Sequence, residues 1–327
     1  EPFEGSEDAT AVRFDMPWVA GEWQHGPWAF EAGAAWPRLR ARHTDRYYSL
    51  ITNEDFLAPA IAEGGHARRL RPRAGLSYRF GPGRALHAAY IESLHAPASH
   101  TLAPVAVGAI PIDHQYQRLG SLARKRAVQL DWEIDARTFA WGVLSSQSIA
   151  NPALADTGRL LVPNLGLSVS DRAGVLAPVG ASGQVAIDAY NGNPYFSQGR
   201  LHQAGAALNR VLTPRWSVLG SYTWAQSRNT GAQHAGNLLP GVPRHTAVLA
   251  NVWRQGGRDL ALASLVYRGS RFADEANTAA LGAGWSLNLV LFRESADRRW
   301  AWAGTLQAPL HGTVRPTLWT TLRYRMD

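Results

Sequence analysis

Cysteine is absent from the 327 residues, which excludes a disulfide scaffold and thiolate metal sites. No apolar run reaches the roughly 18 residues that a membrane-spanning helix needs. The opening Glu1-Pro2-Phe3-Glu4-Gly5-Ser6-Glu7-Asp8 has neither the basic start nor the apolar centre of a leader, and reads as a cut through an external loop with a strand or domain ahead of it. There is no G-x-S-x-G elbow, and no helix follows Gly81-Pro82-Gly83 or Gly192-Asn193-Pro194 to make them phosphate cradles. Eleven histidines, His95, His100 and His114 among them, show no tight ligand spacing, so no metal, cofactor or catalytic group is expected. A hydrolase built on Ser145 or Ser146 with a distant histidine stays a rival. The net charge of +8 calls for anionic partners, yet the basic residues are dispersed and no nucleic-acid motif appears. Lipopolysaccharide phosphates, or a solute inside a basic lumen, account for the charge; nucleic acid is not expected.

What the chain has is alternation. Trp285, Leu287, Leu289 and Leu291 share one parity, as do Trp300, Trp302, Gly304, Leu306, Ala308 and Leu310. Leu318, Thr320, Leu322, Tyr324 and Met326 follow, opposite Thr317, Thr321, Arg323 and Arg325. Period two over about ten residues is the pattern of strands that face two environments. An apolar parity ending in Trp and Tyr suits a lipid interface, and an arginine-bearing parity must be wet. Trp28 and Trp36 lie eight residues apart on one parity, and Trp216 and Trp224 repeat the spacing. At ~3.3 Å per residue that is roughly 26 Å along a strand, or about 20 Å along the membrane normal at 40° tilt, close to the ~25 Å apolar band of outer-membrane barrels. Trp28, Trp36, Trp216, Trp224, Trp285, Trp300, Trp302 and Tyr324 are therefore the expected membrane-interface girdle. A soluble sandwich with exposed tryptophan is the competing reading.

The other parity supplies candidate lumen residues. Arg71, Arg73 and Arg79 alternate with Leu70, Pro72, Ala74, Leu76, Tyr78 and Phe80, and each arginine would cost about 2 to 4 kcal/mol at the bilayer midplane. Lys125, Asp131 and Glu133 alternate with Val128, Leu130, Trp132 and Ile134 in the same way. Together with Arg323 and Arg325 they form either an ion-pair ladder that fills the lumen or a charged path for a permeant. Short turns near residues 26, 82, 136, 172, 214, 256 and 297 alternate with longer stretches, as periplasmic turns alternate with external loops. The first visible strand is expected over Val12, Phe14, Met16 and Trp18, and two strands within 161–190, for about 15 strands in all. The expected fold is an all-β, antiparallel up-and-down transmembrane β-barrel of about 14 to 16 strands, residues 1–327, in a bacterial outer membrane.

Two segments carry a family resemblance: Arg71-Pro72-Arg73-Ala74-Gly75-Leu76-Ser77-Tyr78 with Ala88-Ala89-Tyr90-Ile91-Glu92-Ser93 and Leu102 to Gly108; and Arg200 to Tyr222 with the short hairpin Arg244 to Tyr267. Their order resembles the C-terminal barrels of outer-membrane proteins that carry tetratricopeptide repeats and, more distantly, the barrels of TonB-dependent receptors. No helical repeat, plug domain or TonB box is visible, and Met326-Asp327 replaces the usual terminal aromatic. The first resemblance implies an export or assembly pore for a polar or anionic solute or polysaccharide, fed by a periplasmic repeat domain or secretion partners. The second implies an uptake barrel without its plug.

Overall fold

The computed structural model describes residues 4–49, 54–57, 69–95, 106–112, 116–117, 120–151, 159–163, 169–170, 176–177, 184–188, 196–255, 258–310 and 316–324. Thirteen strands form one antiparallel sheet, each bonded to the next in chain order: β1 (Trp18–His25), β2 (Trp28–Ala35), β3 (Arg71–Gly81), β4 (Arg84–Leu94), β5 (Leu122–Asp135), β6 (Thr138–Ala150), β7 (Gln198–Thr213), β8 (Trp216–Asn229), β9 (His245–Gln255), β10 (Asp259–Arg268), β11 (Gly284–Glu294), β12 (Trp300–Pro309) and β13 (Thr317–Tyr324). This is the up-and-down meander of transmembrane β-barrels. The edge strands β1 and β13 run in the same direction and are not paired with each other.

The sheet has 13 strands, where about 15 are counted from alternation, because the two expected within 161–190 leave the wall. Arg159–Pro163 pairs with Gln184–Asp188 as a hairpin of its own between β6 and β7, which are themselves neighbours. The first strand also shifts. Pro17 and Pro37 lack the N–H a ladder needs, and they divide β1–β2 from a second hairpin, Glu4–Asp15 with Arg38–Ser49. Val12, Phe14, Met16 and Trp18 are therefore not one strand, and Trp18 lies opposite Ala35.

Tight turns join the strands at one end: Gly26 and Gly83 take positive φ (55° and 65°) at hairpin tips, where a side chain would strain the backbone. Register shifts at Arg79/Gly81, Glu133/Asp135 and Val211/Thr213 put bulges beside these turns. All the long connections lie at the other end, as the sequence pattern predicts.

Two long connections fold back against one face of the wall, which is thereby the inner face. The first carries Ala106–Val107 paired with Ile110–Pro111. Val107 and Ile110, at 0% and 1% exposure, pack with Ala89, Ile91 and Ala127. The second runs from β8 to β9 and buries Leu239 and Val242 against Phe196, Ile149, Leu201 and Ala225. Most of the exposed large apolar side chains lie on the other parity, while Trp18, Phe139, Trp141, Leu219 and Trp319 are exposed on the inner one.

Candidate functional site

Strand register sorts the charged side chains by face. On β5, Ala123, Lys125, Ala127, Gln129 and Asp131 are buried or half-buried on the inner parity, while Arg124, Arg126, Val128, Leu130 and Trp132 are exposed on the outer one. Arg73 and Arg79 on β3, Glu133 on β5 and Arg323 on β13 share the inner parity. The seven described candidates thus share one parity; Arg325 lies outside the described residues.

They do not form one ladder. Arg71 is buried, and its guanidinium reaches the Glu92 carboxylate at 3.5 Å, which Arg124 also meets at 3.1 Å. Tyr90 donates its hydroxyl to the same carboxylate at 2.5 Å. The Lys125 ammonium, also buried, donates to the Pro111 carbonyl at 3.3 Å and so tethers the inward hairpin. On the other side of that hairpin, the Gly108 amide donates to Glu31 at 2.9 Å. Arg79, Glu133 and Arg323 stay exposed, with Arg323 eight strands along the sheet from Glu133.

Asp131 belongs to a network that the sequence reading misses. Its Oδ2 lies 3.2 Å from His87 Nε2, and its Oδ1 accepts from Gln129 at 2.8 Å. With the Nε2–H given to Asp131, His87 Nδ1 accepts the Ser77 hydroxyl at 2.8 Å. Ser77 and His87 face each other because they are symmetric about Pro82 at the hairpin tip. That symmetry is the signal that could have found them. Ser–His–Asp is the order of an acyl-transfer relay, but Ser77 sits in a strand paired on both sides, whose backbone amides are spent on the sheet ladder and form no oxyanion hole. The network fixes side-chain orientation on the inner wall.

Farther round, the inner face becomes apolar. Val252, Leu262 and Val290 are opposite one another on β9, β10 and β11, Leu260 and Phe292 adjoin them, and Val248 with Val266 lies above. Ser264 and Asn288, 3.4 Å apart, interrupt this strip, and Ser286 lies opposite Val266.

The outer face carries the aromatic residues expected at the membrane boundary. Trp28 packs at a tilt against Tyr78 at 4.2 Å, Trp300 against Tyr324 at 4.3 Å and Tyr267 against Trp285 at 5.0 Å, while Trp216 faces Trp253. Followed strand by strand, the register carries Trp28 through Tyr78, Leu86, Leu130, Gly142 and Ala206 to Tyr222, six residues beyond Trp216. A shift of six residues (roughly 20 Å) over six strand spacings (roughly 29 Å) makes the line joining Trp28 and Trp216 inclined by about 35°, the tilt expected for barrel strands. The line from Trp36 to Trp224, eight residues higher on the same strands, is parallel to it.

No family model and no curated protein matches this chain. Solved structures do. The ferric yersiniabactin uptake receptor FyuA from Yersinia pestis aligns with TM-score 0.56 and 10% identity over 98% of this chain. The ferric-catecholate import receptor Fiu from E. coli K12 aligns with TM-score 0.53 and 14% identity over 97%. The siderophore receptor PiuA from Acinetobacter baumannii aligns with TM-score 0.52 and 12% identity over 97%. This chain spans a little under half of those receptors, 45%, 45% and 44% of their lengths. The shared property is the fold, that of bacterial outer-membrane β-barrels.

Proposed function

We propose that this chain forms the wall of an outer-membrane uptake barrel of the TonB-dependent-receptor kind, with an occluded rather than open lumen. The observation that carries the reading is the inner apolar strip Val248, Val252, Leu260, Leu262, Val266, Val290 and Phe292. Such a surface is costly against water, at about 25 cal/mol per Å², and suits a lumen that is filled. The hairpin 106–111 and the loop carrying Leu239, both folded inward, act in the same sense. The solute is polar and anionic: Arg79, Arg254, Arg268 and Arg323 are exposed on the inner parity, against Glu22 and Glu133. An export pore fed by tetratricopeptide repeats needs an unobstructed lumen, and the inward loops weigh against it. The role is binding and passage without chemistry, consistent with a Ser77–His87–Asp131 network whose serine is set in a fully paired strand without a backbone oxyanion hole.

Planar-bilayer recording of the full-length protein tests this. The expected result is no steady conductance from the native protein. A steady porin-like current, with ion selectivity that moves on Arg79→Glu, refutes occlusion and restores the open pore.

A further inference from the structure

The outer face has an upper region unlike the rest of the lipid-facing wall. One row of directly opposed residues reads Glu92 on β4, Arg124 on β5, Ser148 on β6, Arg200 on β7 and Arg228 on β8. The next row toward the membrane reads Tyr90, Arg126, Ser146, His202 and Gln226. Below that, Ala88, Val128, Leu144, Ala204 and Trp224 begin the apolar band. All four arginines and His202 are exposed. Glu92 is engaged by Arg71 and Arg124, and Arg126 lies over the Tyr90 ring at 5.9 Å. Among the described residues no carboxylate pairs with Arg200 or Arg228, although these like charges sit opposite each other on adjacent strands, an arrangement that disfavours the sheet unless an anion lies between them.

Beneath the arginines is a groove of 880 Å³ on this same face, running from Ala32 and Ala74 past Ala88 to Ala204, with Arg126 and His202 at its upper edge. Small side chains form its floor, and Phe30, Tyr90 and Trp224 stand beside it. The inclined line from Trp36 to Trp224 passes between the two parts. Arg200 and Arg228 lie on its headgroup side and the alanine floor on its hydrocarbon side.

We propose that this surface binds one phosphorylated, multiply acylated glycolipid of the lipopolysaccharide kind. Arg124, Arg126, Arg200 and Arg228 take its phosphates, and an acyl chain lies in the alanine-floored groove. Guanidinium groups spread over three strand spacings, roughly 14 Å, suit a headgroup with more than one phosphate. A site with a groove for a chain and arginines for phosphates excludes free phosphate and discriminates against a phospholipid with one phosphodiester. The inference rests on the membrane placement of the wall and not on the uptake reading, so either can fail alone.

The test is native mass spectrometry of the folded protein in detergent, titrated with bisphosphorylated lipid A, dephosphorylated lipid A and phosphatidylglycerol. Lipid A with both phosphates is expected to be retained at least about tenfold better than the other two. Arg200→Glu with Arg228→Glu is expected to remove that preference, and Ala204→Trp to weaken retention with every arginine in place. Heat-modifiable gel mobility identifies variants that have folded; should the charge-reversed protein not fold, the comparison of lipids on the unaltered protein decides. Equal retention of the phosphorylated and dephosphorylated lipids, or equal competition by phosphatidylglycerol, overturns the proposal.

Discussion

The inward hairpin is held by a close backbone approach, which makes Gly75→Val a sharp perturbation. A Cβ at Gly75 would lie 2.6 Å from the Gly108 amide nitrogen and 2.8 Å from its Cα, nearer than real contacts allow. Gly108 has φ of +53°, so the turn that reaches Gly75 is itself fixed by glycine. Because the obstruction is backbone on both sides, the hairpin must move off the wall. Doing so exposes Val107 and Ile110, about 3 to 5 kcal/mol of burial before offsetting entropy, and breaks the Gly108-to-Glu31 hydrogen bond. Allowing for recovered loop entropy, a net loss of about 3 kcal/mol is expected, equivalent to roughly a hundredfold faster amide exchange at residues 106–111. Hydrogen exchange read by mass spectrometry measures this, with β4 and β5 as internal controls whose ladder protection should not change. Unchanged protection of 106–111 in a folded Gly75→Val protein would refute the docking argument.

Asn277 links two outer loops by accepting from the Leu238 amide at 2.8 Å and donating to its carbonyl at 3.0 Å, from a backbone at φ of +59°. Asn277→Ala should lose both bonds and strain the turn, lowering loop stability by about 2 kcal/mol, and Asn277→Gly should recover only the strain, as protease nicking rates would show. Burial pushes the Asp274 carboxyl up, but the Thr278 hydroxyl and the Ala279 and Thr278 amides outweigh it and hold the pKa below the usual carboxylate value. A depressed folded-state pKa gives stability that is present above the unfolded value near ~3.9 and lost as pH falls through the folded one. Exchange at residues 273–279 should therefore accelerate below about pH 4 and Asp274→Asn should remove that dependence. His87→Leu should leave Ser77 and Asp131 without their shared partner and lower thermal stability by about 1 to 3 kcal/mol, with no gain from Ser77→Ala added to it.

Alternation made the wall legible where one parity is charged. On β3 the arginines Arg71, Arg73 and Arg79 share one parity opposite apolar residues, and on the turn half of β5 Asp131 and Glu133 do the same opposite Leu130 and Trp132, although Arg124 and Arg126 face outward at its other end. The tryptophans proposed as a girdle share the outer parity, and their eight-residue spacing is the one that crosses an apolar band. Three features were not legible. Val248, Val252, Leu262 and Val266 sit on strands apolar on both parities, where period two carries no facing information. The hairpin 106–111 docks by backbone against Gly75 and the Leu239 side chain docks against Gly199, close approaches that leave no mark in a hydropathy pattern. Within 161–190 the apolar runs resemble wall strands, and only pairing partners show that 159–163 and 184–188 bond to each other.

The central claim is that one parity of this wall meets lipid and the other an aqueous or protein-filled interior. A chain without cysteine permits single-cysteine spin labelling along β5, from Lys125 to Trp132, in reconstituted bilayers. The account predicts period-two accessibility: oxygen-accessible labels at Val128 and Leu130, and labels shielded from oxygen at Ala127, Gln129 and Asp131. Uniform accessibility to a water-soluble relaxant, or an alternation of the opposite phase, would contradict it.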